Sequence, residues 1–227
     1  MGIYQFGVPK DLVKKLQEFG DINVFVETGT FTGNTTRWAS EVFQKVYTVE
    51  IVPELREEAM RLSEGVDNIE FLLGNSREIL PAYKEAFGET VLFWLDGHYS
   101  GGATGGKNEQ CPLMEELSSI VGIKNVYILI DDARCFMGRL PEPYGGDHWP
   151  RVDEIFSFLT ENFPNNRFTI HDDVIISVPE ASWHVVEDNW ENKYWDRYPK
   201  GKNNNYDSIS FVEKCSQFVK YRILQNS

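Results

Sequence analysis

Four short apolar runs in this chain each close on a carboxylate: Val24-Phe25-Val26-Glu27, Val46-Tyr47-Thr48-Val49-Glu50, Phe93-Trp94-Leu95-Asp96 and Tyr127-Ile128-Leu129-Ile130-Asp131-Asp132. Short continuous apolar runs of this kind suit parallel strands buried on both faces. Amphipathic stretches separate them, the alternation expected of repeated βαβ units around a parallel sheet. In such a sheet the acids emerge along one rim, at the carboxyl ends of the strands, where open α/β folds bind their ligands. The pattern therefore predicts a site as well as a fold.

Element boundaries follow from the same reading. A helix over 10–18 precedes a strand over 22–27, and a helix over 34–44 leads to a strand over 46–50. Pro53 opens the next helix, as proline does at a first helical position. A strand over 69–73, a helix over 77–87, a strand over 91–96, a helix over 112–121 and a strand over 126–131 continue the alternation. The helix that begins at Arg151 runs to about Asn162, where Pro164 stops it. Arg167–His171 and Val174–Val178 flank Asp172-Asp173 and read as an antiparallel hairpin. Residues 181–210 show no clean period and read as a surface excursion or a binding flap; Phe211–Leu224 reads as a helix. The expectation is one α/β domain over 1–227, with a core over about 20–180 and residues 181–227 as a C-terminal extension.

Composition narrows the partners. A net charge of −13 argues against a phosphate-tracking groove, so no nucleic-acid partner is expected. No run approaches the length of a bilayer span, and the first residues lack the basic and apolar regions of a secretory signal, so the expectation is a cytoplasmic protein with no membrane partner. Cys111, Cys135 and Cys215 are widely spaced and form no Cys-x-x-Cys pair, the pattern of free thiols. Composition leaves a homo-oligomer open.

After the first strand the chain reads Glu27-Thr28-Gly29-Thr30-Phe31-Thr32-Gly33-Asn34-Thr35-Thr36. Glycines at a strand-to-helix turn permit tight backbone angles and close approach. The spacing is not the dinucleotide fingerprint, because Phe31 and Asn34 stand where two of its glycines belong, and no Gly-Lys-Ser/Thr of a phosphate-binding loop follows. The segment Glu27-x-Gly29-x-x-x-Gly33 instead resembles the first motif of class I S-adenosylmethionine-dependent methyltransferases. The resemblance covers roughly residues 20–180, and the order of further features agrees: Glu50 closes strand two, and Gly74-Asn75-Ser76 follows strand three. It implies a doubly wound, Rossmann-like, seven-stranded mixed sheet, mostly parallel with an antiparallel C-terminal hairpin. It also implies that Glu27, Thr28, Gly29, Gly33, Thr35, Glu50, Asn75, Ser76 and Asp96 bind S-adenosylmethionine, with Glu50 on the ribose hydroxyls. Two plainer readings stand beside it: the glycines tighten a turn, and Asn75-Ser76 caps the following helix.

Asp96-Gly97-His98-Tyr99 follows strand four and Asp131-Asp132-Ala133-Arg134 follows strand five. The resemblance to class I methyltransferases implies that these two strands are neighbours, which would bring the three aspartates together, and their mutual repulsion calls for a hard cation held by oxygens, Mg²⁺ or Mn²⁺. The arrangement resembles metal-dependent O-methyltransferases of the catechol and macrocin types, closer to the macrocin type, which acts on sugar hydroxyls; His98 departs from that pattern. The plainer alternative is that Asp131 caps its turn and Asp132 is solvated.

The resemblance thus implies a metal-assisted O-methyltransferase acting on a small polar, carbohydrate-like hydroxyl. The proton acceptor is His98 or an aspartate such as Asp96, with His148 the second candidate. His98 as a packed histidine is the competing reading. Tyr99, Tyr144 and Trp149 suit stacking on a sugar ring, and Arg134 or Arg139 suits an acidic group. Two other classes fit parts of the pattern: a Mg²⁺-dependent hydrolase or phosphoryl-transfer enzyme using the same aspartates, and a non-catalytic nucleoside-binding module.

Overall fold

The structure is a computed structural model and describes residues 7–99, 110–140 and 149–197, with side chains described to residue 194. Seven strands form one sheet: β1 (Val24–Thr28), β2 (Lys45–Glu50), β3 (Ile69–Leu73), β4 (Thr90–Leu95), β5 (Asn125–Ile130), β6 (Asn166–His171) and β7 (Val174–Pro179). Their order is β3-β2-β1-β4-β5-β7-β6. The first five are parallel, and β7 pairs antiparallel with both β5 and β6. This is the mixed, doubly wound, seven-stranded sheet that the resemblance implies.

Among the described residues seven α-helices accompany the strands: α1 (Lys10–Gly20), α2 (Asn34–Ser40), α3 (Pro53–Leu62), α4 (Ser76–Phe87), α5 (Leu113–Ile120), α6 (Val152–Asn162) and α7 (Trp183–Arg197). Alternating strand residues feed two apolar clusters, one per face. Val26, Phe93, Leu95, Ile128 and Ile130 pack with Leu80 of α4 and Leu117 of α5. Phe25, Leu92, Trp94 and Leu129 pack with Leu16 of α1 and Val186 of α7. Central strands β1, β2, β4 and β5 are buried almost end to end, which is why their sequences run apolar without alternation.

Most boundaries fall within two residues of the sequence reading, and two assignments differ more. The second helix stops at Ser40 rather than 44, because Glu41, Val42 and Phe43 turn back with their N–H groups on Trp38 and Ala39 carbonyls. Residues 183–197, read as irregular, form α7, whose aromatic residues mask any helical stripe in the sequence. Residues Met1–Asn189 form one compact unit, and Trp190–Ser227 a second that contains the end of α7. The expected helix over 211–224 lies outside the described residues. No described helix is long and apolar enough to cross a membrane.

Candidate functional site

The order in which strands join the sheet reverses between β1 and β4, parallel hydrogen-bonded neighbours although three helices and two strands separate them in sequence. A crevice at such a switch point is where this kind of sheet takes a ligand. Glu27, Glu50, Asp96 and Asp131 all come to that carboxyl-end rim, as the four apolar runs predict.

On the β1–β2 side, Gly29 has φ +85° and Gly33 φ +73°, so both need left-handed backbone. A Cβ on Gly29 would lie 2.3 Å from the Asp96 carbonyl oxygen, so glycine here lets the turn close against the exit of β4. The Gly29 N–H donates to Val49 O at 3.0 Å, and the Phe31 N–H donates to Glu50 Oε2 at 2.8 Å. The other carboxylate oxygen, Glu50 Oε1, accepts from the Val52 N–H at 2.9 Å. Phe31, whose N–H meets Glu50, Ile51 beside it along the chain and Leu73 across the register are exposed apolar residues.

Glu27 sits beneath this turn. Its Oε2 accepts from Thr36 Oγ1 at 2.5 Å and Thr48 Oγ1 at 2.8 Å, and Thr48 in turn meets Thr30 Oγ1 at 2.6 Å. Burial pushes its carboxyl up from 4.5 to about 7, against the pull of the two threonine hydroxyls. Thr28 is buried, and its hydroxyl accepts from the Asp96 N–H at 3.3 Å; Thr35 is half-buried on the first turn of α2. Asn75 accepts from the Arg77 N–H at 3.1 Å and caps α4, the plainer of its two readings, while Ser76 is buried as the first residue of that helix.

On the β4–β5 side, His98 Nε2 lies 2.7 Å from Asp132 Oδ2 and 3.7 Å from Asp96 Oδ1. The imidazole is buried and meets the Trp149 ring edge-on at 5.3 Å between centroids. Trp149 donates to Gln110 Oε1 at 3.1 Å, and the Gln110 carbonyl accepts from the Tyr99 N–H at 2.7 Å. Burial alone would lower the His98 pKa, but the hydrogen bond to Asp132 and the charges of Asp96, Asp132 and Asp131 outweigh it and raise it. Asp96 is raised well above the usual range by burial, with Asp131, Asp132 and Glu27 adding repulsion against the attraction of His98. Asp131 is raised to about 6 by burial and by Asp132, and its Oδ1 accepts from the Asp132 N–H at 2.7 Å. Asp132 resists burial and stays below the usual range, held by His98 and Arg134. His148, the second candidate base, lies outside the described residues, as does Tyr144.

The three aspartates therefore reach one rim without forming a ready donor set. Asp132 offers Oδ2 to His98 and Oδ1 to Arg134 Nη1 at 2.7 Å, and Asp131 Oδ1 receives a backbone N–H. Among the described residues no group of three or more His, Cys, Asp or Glu has an arrangement suited to a metal ion. The expected Mg²⁺ or Mn²⁺ does not fit Asp96, Asp131 and Asp132 as they stand, because His98 and Arg134 already engage the two carboxylate oxygens of Asp132.

Two participants escape the sequence reading. Glu116 of α5 is 1% exposed, and a Cβ on Gly97 would lie 3.0 Å from its Oε1, which has no hydrogen-bond partner among the described residues. Burial raises its pKa, while the Ser76 and Thr28 hydroxyls pull it down. Nothing in Met114-Glu115-Glu116-Leu117 marks which glutamate turns inward. The second is Asp173, at the tip of the β6–β7 hairpin, which ion-pairs with Arg134. Arg134, expected to hold an acidic ligand group, instead holds two carboxylates of its own chain.

Comparison with known proteins bears on the fold. No protein-family model matches the chain. An O-methyltransferase from Bacillus cereus, solved in complex with SAH, superposes with a TM-score of 0.52 at 18% identity, over 77% of this chain and 82% of that one. A candidate caffeoyl-CoA O-methyltransferase from Staphylococcus aureus gives 0.53 at 12% identity, over 78% and 86%. The chain thus has the Rossmann-like fold of methyltransferases. An uncharacterized RNA methyltransferase from Oceanobacillus iheyensis is 31% identical over 81 residues, which is 34% of this chain; the match spans only 18% of that relative's length.

Proposed function

We propose that the protein is an S-adenosylmethionine-dependent O-methyltransferase acting on a hydroxyl of a small polar, carbohydrate-like acceptor. The observation that carries this reading is the juxtaposition at one switch point of the Gly29–Glu50 turn and the His98–Asp132 pair, with Asp96 between them. The shared fold and the methyltransferase named among the sequence relatives support the same class. The net charge of −13 weighs against RNA as the acceptor.

Bound S-adenosylmethionine supplies a methyl group already activated on a sulfonium. The protein's part is to align the acceptor oxygen and take its proton. Glu50, fixed by two backbone N–H groups, keeps lone pairs free to accept ribose hydroxyls, and Phe31, Ile51 and Leu73 offer apolar surface to a base. His98, held 2.7 Å from Asp132, takes the hydroxyl proton, and the resulting imidazolium is paired with Asp132 and Asp96. No step here needs a divalent ion, and metal assistance enters only as something to test.

Calorimetry with S-adenosylmethionine and with NAD, each with and without Mg²⁺, decides the cofactor. Binding of the first alone is expected; NAD binding without it ends the reading. Transfer of labelled methyl to sugar, catechol and RNA acceptors then decides the substrate. Turnover that collapses on chelation would restore the metal, and methylated RNA would replace the carbohydrate.

A further inference from the structure

We propose that Asp173 is a positioning residue for the His98–Asp132 pair, acting through Arg134 from the β6–β7 hairpin beside the exit of β5. The proposal rests on the reading of His98 given above. Asp172 and Asp173 form the two-residue loop between β6 and β7, with φ +48° and +74°. Such loops favour glycine at the second place, because both central residues need positive φ. An aspartate there retains strain that glycine would remove, so the side chain should have a purpose.

Its contacts supply one. The Asp173 carbonyl accepts from the Ala133 N–H at 2.8 Å, and its Oδ1 accepts from the Arg134 N–H at 2.8 Å. Its Oδ2 pairs with Arg134 Nη1, the same nitrogen that lies 2.7 Å from Asp132 Oδ1. The Asp173 side chain is 8% exposed although it stands at a hairpin tip, whereas Arg134 is 44% exposed. Asp132 itself has φ +56°, a left-handed conformation held only by its surroundings. The hairpin thus ties down the segment after β5 at three points, and one guanidinium passes that constraint to Asp132 and so to the imidazole 2.7 Å away. Without Asp173, Arg134 loses a charged anchor that holds it beside Asp132.

The test uses Asp173→Asn, which keeps an acceptor for the Arg134 N–H and tolerates positive φ but removes the charge. The ring Cε1–H signal of His98 is read by NMR on ¹³C-histidine protein at fixed pH, assigned by its loss in His98→Gln. It is expected to move in Asp173→Asn and in Arg134→Gln, with no further movement in the double variant. With any acceptor the wild type methylates, kcat should fall about tenfold or more, while the dissociation constant for S-adenosylmethionine stays within about twofold. Asp173→Gly relaxes the turn and should show the same losses with an unreduced melting temperature, which separates positioning from folding. An unmoved His98 signal with unchanged kcat, or losses that simply add in the double variant, would overturn the proposal. Failure of the wild type to bind S-adenosylmethionine would sink the methyltransferase reading, while the NMR comparison still decides the role of Asp173.

Discussion

Glu27 shows at the scale of one residue how burial turns a charge into a pH dependence. In the folded protein it keeps its proton to about pH 7, whereas an unfolded glutamate loses it near 4.5. Between those values the folded state binds more protons, so stability falls as pH rises: the penalty is absent below about pH 4.5 and complete above about pH 7. For this fully buried group the interval corresponds to about 3 kcal/mol. The stability difference between wild type and Glu27→Gln, measured by urea unfolding at pH 4.5 and 7.5, should shift by about that amount in favour of the variant at the higher pH. A pH-independent difference would show that Glu27 titrates normally. Gly29→Ala tests the turn above it. The new Cβ would meet the Asp96 carbonyl at 2.3 Å on a backbone with φ +85°, so a loss of at least about 2 kcal/mol in chemical unfolding is expected, together with weaker cofactor binding. At this scale the sequence showed which residue types reach the rim but not their partners. Glu27 was legible as a strand-end acid, yet the threonines that absorb it come from α2 and β2, and only the folded register brings them together.

Elements were legible where one physical signal dominated. The central strands declared themselves because both faces are buried, and α3 because Pro53 opens it. α4 shows its start in Asn75, which caps it with a side-chain oxygen. Asn75→Ala should therefore cost about 1 kcal/mol in thermal or urea unfolding. The same variant leaves cofactor affinity unchanged if capping is its whole role, and weakens it if the residue also touches the nucleoside. α7 was not legible, because the buried stripe of Ser182, Val185, Val186 and Asn189 includes two polar residues while the apolar Trp190 and Tyr194 stand exposed. The β6–β7 hairpin was legible from its Asp172-Asp173 linker, but its reach to the β5 exit was not, since that depends on β7 lying beside β5.

Across the whole molecule, strand order does what no local pattern can. Placing β4 against β1 sets the turn that holds Glu50 beside the loop that carries His98, and the two halves meet only in the native sheet. A nucleoside cofactor spanning that junction binds the folded state alone, so it must stabilise the fold by mass action. At a free concentration about a hundredfold above the dissociation constant, the gain is about 2.7 kcal/mol, equivalent to a rise of about 5–10 °C in melting temperature for a chain of this size. S-adenosylmethionine and S-adenosylhomocysteine should both produce it, and NAD should not. Glu50→Gln can present only one acceptor oxygen where the carboxylate presents two. A tenfold loss of affinity removes about 1.4 kcal/mol, so at the same ligand concentration the thermal shift should be roughly halved. Asp173→Asn, which acts on the β5 side, should keep the full shift. Equal stabilisation by NAD, or a full shift retained by Glu50→Gln, would mean that the nucleoside does not lie across the β1–β4 junction.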